Sequence, residues 1–175
     1  EVTENELENN IIELSLDINE GDASTIKEIK ILGNKTYSTR LLKSLIKSGP
    51  KYWFEVWSDK DIYNSTFLDQ DIEAIRDYYL NRGYAKFKVV SKQVNLSPDK
   101  EDIYITLSID EGTLYKFGKT TVYGLDNFDS NIFKNIINYN LDPGSFFSRS
   151  NIETAKEAIQ FVLGEKGYAF PFAPR

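Results

Sequence analysis

The clearest periodicity in the chain is an alternation of apolar and polar residues that runs from Ile103 to Ile109, where Ile or Leu occupies every second position. Such an alternation predicts a strand with one face in the core and the other in solvent. The same alternation runs from Ile12 to Ile18, 91 residues earlier. We therefore predict that the chain opens with the last strand of a preceding structural repeat.

Further features recur at the same spacing, which indicates an internal duplication. The sequence LDINEG returns as LSIDEG, and the glycine of ILGNK returns in VYGLD, each 91 residues later. The apolar pairs of a short helix return at this offset as well, whereas RGYA returns as KGYA after 84 residues. The difference predicts a longer loop in the first copy, between Pro50 and Ser65.

Each copy begins with a strand and two helices. In the first copy, Thr25 to Leu32 is rich in residues that favour strands and ends at a Gly-Asn turn. Apolar residues at positions 41, 42, 45 and 46 predict a short helix that Ser38 caps and that Gly49-Pro50 ends. Apolar residues at helical spacing from Leu68 to Tyr79 predict a second helix.

Two strands complete a copy. The segment from Tyr84 to Leu96 alternates at first and then slips in phase, which predicts a bulge between Val90 and Gln93. It is the hairpin partner of the strand at Ile103 to Ile109, while the first strand returns through two helices and so lies parallel to the last. This order leaves Tyr84 to Leu96 at the edge of the sheet. The predicted fold class is α+β, with tandem β-α-α-β-β modules, each a three-stranded mixed sheet covered on one face by two helices.

These patterns divide the chain into three parts. Residues 1–21 are the tail and last strand of a preceding repeat, and residues 22–112 form a complete module. Residues 113–175 form a second module that lacks its last two strands. We expect this second module to be completed by another chain or truncated by disorder.

The composition argues against catalysis. The chain has no histidine, the commonest general base and metal ligand, and no cysteine, so it lacks thiol nucleophiles and thiolate zinc sites. Its net charge of −6 is unfavourable for binding a phosphate backbone. No apolar run approaches the roughly 20 residues of a membrane-spanning helix. We therefore predict a binding module without enzyme activity, cofactor or metal.

Several side chains have both a functional and a structural interpretation. Asp69, Asp71 and Glu73 could hold a divalent ion, but acidic residues at a helix start are explained by the helix dipole alone. Tyr78 and Tyr79 could line a peptide groove, but packing explains them better. We favour the structural interpretation in both cases.

An edge strand offers unpaired backbone N–H and C=O groups to which an extended peptide can add. Lysines on this strand either prevent edge-to-edge aggregation, which we favour, or select partners. Trp53 and Trp57 are a possible aromatic contact in the long loop, although both can pack beneath that loop. The candidate partner-binding residues of the edge are Ala85, Lys86, Phe87, Lys88, Val89, Val90, Ser91 and Lys92.

The module order, the GNK turn, the RGYA and KGYA helix exits and the DEG strand ends resemble POTRA domains. These are the periplasmic repeats that precede the barrel in outer-membrane assembly factors of the Omp85 family. The stretch from Leu68 to Phe117 and the loop with two tryptophans resemble the third repeat running into the fourth. Gly124, Pro143-Gly144 and the sequence GYAFP carry the resemblance in the fourth, so that it covers residues 11–173.

The resemblance implies a periplasmic segment of a Gram-negative outer-membrane protein, joined to its own C-terminal barrel, with a role in folding other outer-membrane proteins. It implies no catalysis and no cofactor. Its partners would be unfolded outer-membrane proteins and accessory lipoproteins of the assembly machine. The edge strand of the third repeat is the family's usual contact with the propeller-shaped lipoprotein, which matches Tyr84 to Leu96 here. Another Omp85-type translocation or secretion protein is the alternative.

Two interpretations from other classes stay open. A KH-like nucleic-acid module also begins β-α-α-β, but the loop from Lys47 to Lys51 lacks the GxxG sequence and the chain is acidic. An enzyme without His or Cys would need a pair of carboxylates, and no spacing in the sequence brings such a pair together.

Overall fold

The computed structural model describes residues 2–7, 11–16, 24–51, 61–124 and 130–168. The predicted loop residues Trp53 and Trp57 therefore lie outside the described residues. No helix in these ranges is both long and apolar enough to cross a membrane. The elements are β1 (Val2–Leu7), β2 (Ile11–Leu16), β3 (Thr25–Leu32), α1 (Thr39–Leu45), α2 (Ser65–Leu80), β4 (Lys88–Leu96), β5 (Asp102–Asp110), α3 (Ser130–Asn140) and α4 (Arg149–Glu165).

The first two strands form an antiparallel pair in which Leu7 lies opposite Ile11. Strand β2 falls where the alternating pattern predicted one. Strand β1 was not predicted, because Glu4 and Glu6 occupy the positions opposite Leu14 and Ile12 and break the apolar alternation. An acidic outer strand can still pair through its backbone.

The main sheet has the order β3-β5-β4, with β3 parallel and β4 antiparallel to β5. This is the predicted topology, and it places the most regularly alternating strand in the centre. The core lies between this sheet and the two helices α1 and α2, since alternate residues of β5 are buried against them. The buried residues are Ile26, Ile29, Ile31, Leu42, Leu68, Ile72, Ile75, Tyr79, Phe87, Ile103, Ile105, Leu107 and Ile109.

Helix α1 begins as predicted, since the Ser38 hydroxyl accepts a hydrogen bond from the Leu41 N–H. It ends at Leu45, four residues before the predicted stop at Gly49-Pro50. The backbone N–H groups of Lys47 and Ser48 instead donate to the carboxylate of Asp71, at 2.7 and 2.9 Å. The Asp71 side chain, which belongs to α2, thus accepts the hydrogen bonds that carbonyl groups would accept in a further turn of α1.

Helix α2 begins at Ser65, where the Asn64 side chain accepts from the N–H groups of Thr66 and Phe67. The predicted dipole role of Asp69 and Asp71 is therefore wrong, because both lie beyond the first turn, where the field of the helix end has faded.

The second module repeats the helix pair. Helix α3 begins 91 residues after α1, and α4 begins 84 residues after α2, so the length difference lies between the two helices, as predicted. The strand with which this copy was expected to begin is not seen in the described part of the module, where Lys116 and Phe146 form an isolated bridge. Its core consists of Phe133, Ile137, Leu141, Ala155, Ile159 and Leu163.

Candidate functional site

Strand β4 is an edge of the main sheet. Its nine residues pair on one side with β5, and no described strand pairs with its other side. Along β4, the N–H and C=O groups of every second residue therefore point to the open side, away from β5. The predicted edge position of this segment is confirmed.

The strand begins at Lys88, later than the candidate residues that the sequence suggested. Ala85, Lys86 and Phe87 belong to the turn that leads into it, and the Phe87 N–H donates to the Tyr84 carbonyl. The Phe87 ring is buried and stacks on Tyr79 at a centroid distance of 4.4 Å. These three residues offer no unpaired strand edge, so the site shifts toward the C-terminal half of β4.

A bulge interrupts the edge where the phase slip predicted one. The register against β5 shifts between Val89 and Ser91, and the extra residue Val90 is 62% exposed. From Ser91 to Leu96 the pairing runs without a break. A bulge increases the local twist and interrupts the regular spacing of the backbone groups. The regular part of the edge is therefore the six residues from Ser91 to Leu96.

The two faces of this regular edge differ in polarity. Val94 and Leu96 lie opposite the buried residues Ile105 and Ile103, and they therefore point to the helix-covered face. They are nevertheless 37% and 51% exposed, because they sit at the open side of the sheet. Their neighbours Gln93 and Asn95 point to the uncovered face, opposite Thr106 and Tyr104. The predicted edge strand, Tyr84 to Leu96, contains these four residues, but the candidate partner-binding residues ended at Lys92.

Two of the candidate lysines are held by carboxylates of the same chain. The Lys88 ammonium lies 3.2 Å from Asp110, and the Lys92 ammonium lies 2.6 Å from Asp69. The hydrogen bond that Lys92 donates to the Asp69 carboxylate raises the pKa of Lys92, so its charge is retained at any physiological pH. The Lys86 ammonium lies over the Tyr115 ring, 5.5 Å from its centroid.

The three acidic residues considered as an ion site are separately engaged. Asp69 pairs with Lys92, and Glu73 with Arg76, while Asp71 binds backbone N–H groups. Within the described ranges no group of three such side chains is placed to hold a metal ion. Because Asp71 occupies the N–H groups of the loop after α1, that loop is also not free to clamp a phosphate backbone as in a KH module.

The end of β5 is anchored by Glu111, which stands in LSIDEG, the second copy of the repeated motif. Its carboxylate is buried and accepts from the N–H groups of Lys35 and Thr36 at 2.9 Å and from the Tyr79 hydroxyl at 2.7 Å. Burial opposes its ionisation, but the hydrogen bonds from Thr36, Tyr79 and Lys35 together hold the pKa of Glu111 below its ordinary value. Tyr79 is fully buried, so it packs in the core, as we favoured, and its hydroxyl also binds Glu111.

Comparison with known proteins gives a consistent result for both modules. The profile of the POTRA family, described as a surface antigen variable number repeat, matches residues 24–112 and again residues 115–173. The outer membrane protein assembly factor BamA of Buchnera aphidicola subsp. Acyrthosiphon pisum is 34% identical over 161 residues, which cover 91% of this chain and 26% of that protein. BamA of Neisseria meningitidis serogroup B is 27% identical over 168 residues, which cover 94% and 20% respectively.

The chain thus spans about a quarter or less of the length of these curated relatives. Among solved structures, the crystal structure of Haemophilus influenzae BamA POTRA3-5 superposes with a TM-score of 0.73 at 27% identity, covering 89% of this chain and 60% of that one. The similarity between the two structures agrees with the α+β fold class predicted from the sequence.

Proposed function

Because the chain belongs to the POTRA family and resembles the POTRA region of an outer-membrane assembly factor, we propose that it is a periplasmic scaffold that binds partners by strand addition. The observation that carries this proposal is the unpaired side of β4. The partners are unfolded outer-membrane proteins and the accessory lipoproteins of the assembly machine. No catalysis and no cofactor are part of this function.

Strand addition suits a scaffold that meets many different sequences. The unpaired backbone groups of β4 bind the backbone of an extended peptide, which every sequence carries. Side chains of the added strand then contact their neighbours on each face of the sheet. Affinity thus comes from the backbone, and selectivity comes from the polarity of the two faces.

The polarity of the regular edge favours an amphipathic strand. A residue added beside Val94 or Leu96 meets exposed apolar side chains, and the next residue meets the amide side chains of Gln93 or Asn95. Apolar and polar residues also alternate along a strand of an outer-membrane barrel, in segments of about ten residues. The edge therefore matches the chemistry of the strands that an assembly factor handles.

The two lysines with carboxylate partners protect this edge from pairing with the edge of another sheet. Lys88 and Lys92 place charge along an otherwise open strand, and the bulge at Val90 breaks its regularity. Both are devices that keep sheet edges from pairing with one another. Since both ammonium groups are held by the chain's own carboxylates, we assign them this protective role rather than partner selection.

Proline substitutions at two neighbouring edge positions test the proposal. The N–H groups of Gln93 and Val94 point to opposite sides of the strand, one toward β5 and one toward the open edge. Proline at the inward position breaks the sheet, whereas proline at the outward position removes one donor of the open edge and leaves the ladder intact. We expect the proline variant that keeps wild-type stability to bind an amphipathic strand peptide about tenfold more weakly.

Urea unfolding identifies which variant is the stable one, and fluorescence anisotropy of a labelled peptide measures its affinity. The Ser97 N–H donates to the Asp102 carbonyl, so by alternation the outward position is Val94, and Leu96→Pro has the same orientation and serves as a second variant if Val94→Pro fails to fold. Thr120→Ala in the second module provides the reference, because it leaves β4 and β5 unaltered. Glu28→Pro would not serve, because β3 pairs with β5 and proline there would disturb the sheet. A stable outward proline variant that binds as tightly as wild type would exclude pairing at this edge.

A further inference from the structure

The C-terminal end of α2 contacts the start of α4, although the two helices belong to different modules. The Asn81 side-chain oxygen accepts a hydrogen bond from the Ser150 N–H at 2.8 Å and lies 3.4 Å from the Ser148 hydroxyl. The Arg149 guanidinium lies 3.2 Å from the Asp77 carboxylate. Two side chains of the first module therefore bind the first turn of a helix in the second.

These contacts satisfy groups that the helix cannot satisfy itself. The first N–H groups of a helix have no partner within it. Ser148 accepts from the Asn151 N–H, and Asn81 accepts from the Ser150 N–H, so the cap of α4 is shared between the modules. Arg149 brings a cation to the positive end of the helix dipole, which is unfavourable unless a carboxylate offsets it. Asp77 and Glu153 supply two such carboxylates.

A second attachment lies near the connecting segment. The Tyr115 N–H donates to the Gly83 carbonyl at 2.7 Å, and the Tyr115 carbonyl accepts from the Phe147 N–H at 3.0 Å. Gly83 has a φ of +97°, and a Cβ at this position would lie 2.6 Å from a methyl carbon of Leu114. The chain after β5 is thus hydrogen-bonded to the end of α2 on one side and to the segment before α4 on the other.

We propose that Asp77, Asn81 and Gly83, here called the α2 clamp, fix the orientation of the second module relative to the first. A connection through Glu111 to Leu114 alone would act as a hinge, which is the ordinary behaviour of two small domains. The clamp adds attachments at Tyr115, directly after that connection, and at the first turn of α4, far from it in the chain. The open edge of β4 and the second module then keep a constant separation, whether or not a strand is bound.

Distance measurements between spin labels test the clamp directly. The chain has no cysteine, so Lys43→Cys on α1 and Glu157→Cys on α4, both exposed, can be labelled without further changes. We expect a single narrow distance distribution in the parent. Asp77→Ala with Asn81→Ala will broaden it by about twofold, because released domains of this size move independently. Glu73→Ala is the matched control, since it removes a carboxylate whose partner Arg76 lies on the same helix, and it will leave the distribution unchanged.

A charge exchange separates the clamp from a general loss of helix stability. Asp77→Arg alone will broaden the distribution, and adding Arg149→Asp will narrow it again, because the ion pair is restored with its charges reversed. A broad distribution in the parent, or one that Asp77→Ala with Asn81→Ala leaves unchanged, would overturn the proposal. So would a failure of the charge exchange to restore the width. These results are independent of peptide affinity at β4, so the clamp and the strand-addition site can fail separately.

Discussion

Replacing Glu111 with alanine will lower the free energy of unfolding by about 4 kcal/mol. Its carboxylate is 8% exposed and accepts from two backbone N–H groups and from the hydroxyls of Thr36 and Tyr79. Alanine leaves these donors without their shared acceptor, and Tyr79, which carries one of the hydroxyls, is fully buried. Urea unfolding, followed by circular dichroism, measures the loss.

Asp110→Ala is the matched control, because it removes the preceding carboxylate, which is exposed and pairs with Lys88 at the surface. Its effect should stay below about 1 kcal/mol. Equal losses for the two variants would mean that the buried hydrogen bonds of Glu111 do not hold the end of β5.

The contribution of Glu111 to the free energy of unfolding decreases as the pH falls into the acid range. The pKa of Glu111 in the folded chain lies below its ordinary value of 4.5, because hydrogen bonds to the carboxylate outweigh the cost of burial. The stabilisation that this shift represents is fully present above that ordinary value and is lost as the pH falls through the folded pKa. The difference between wild type and Glu111→Ala should therefore be constant near neutral pH and shrink in acid.

Replacing Gly33 with alanine will cost about 3 kcal/mol or more. Gly33 has a φ of +90°, and a Cβ built on it would lie 2.1 Å from the Ile109 carbonyl oxygen. Relief would require moving the backbone of the central strand, so a side chain shift cannot remove the overlap. Thermal and urea unfolding both report the change.

Gly49→Ala provides the comparison, because a Cβ at Gly49 meets no atom within 4 Å. We expect its stability to remain within about 0.5 kcal/mol of wild type. If Gly33→Ala were equally mild, the turn after β3 would not be packed against β5 in the way that the structure shows.

The sequence predicted those parts of the fold that local periodicity determines. The alternation in β5, the slip in β4 and the recurrence of the helices gave the sheet order, the bulge and the two copies. The end of α1 was misplaced, because it depends on Asp71, which accepts from Lys47 and Ser48 across 24 and 23 residues of the chain. Glu111 was overlooked for the same reason, since its partners Lys35 and Thr36 lie 76 and 75 residues away.

The candidate site was predicted in outline and shifted in detail. Alternation from Ala85 onward suggested a strand. The segment up to Phe87 instead forms a turn, in which the Phe87 ring packs against Tyr79, and the strand starts at Lys88. The exposure of Val94 and Leu96 follows from their position at the predicted open edge, but the candidate residues ended at Lys92 and did not include them. The shared cap between Asn81 and Ser150 joins residues 69 apart and leaves no local signal in the sequence.

The central claim is that an extended strand adds to the open side of β4, and amide hydrogen exchange tests it most directly. The exchange of each backbone amide is measured by NMR in the isotope-labelled chain, alone and with an amphipathic peptide of about ten residues. In the free chain, every second amide from Ser91 to Leu96 should exchange rapidly, because it faces away from β5. With the peptide present, these same amides should slow, while the amides of β5 stay as they were. Peptide binding that leaves the β4 amides unchanged, or that protects another part of the chain instead, would contradict the account.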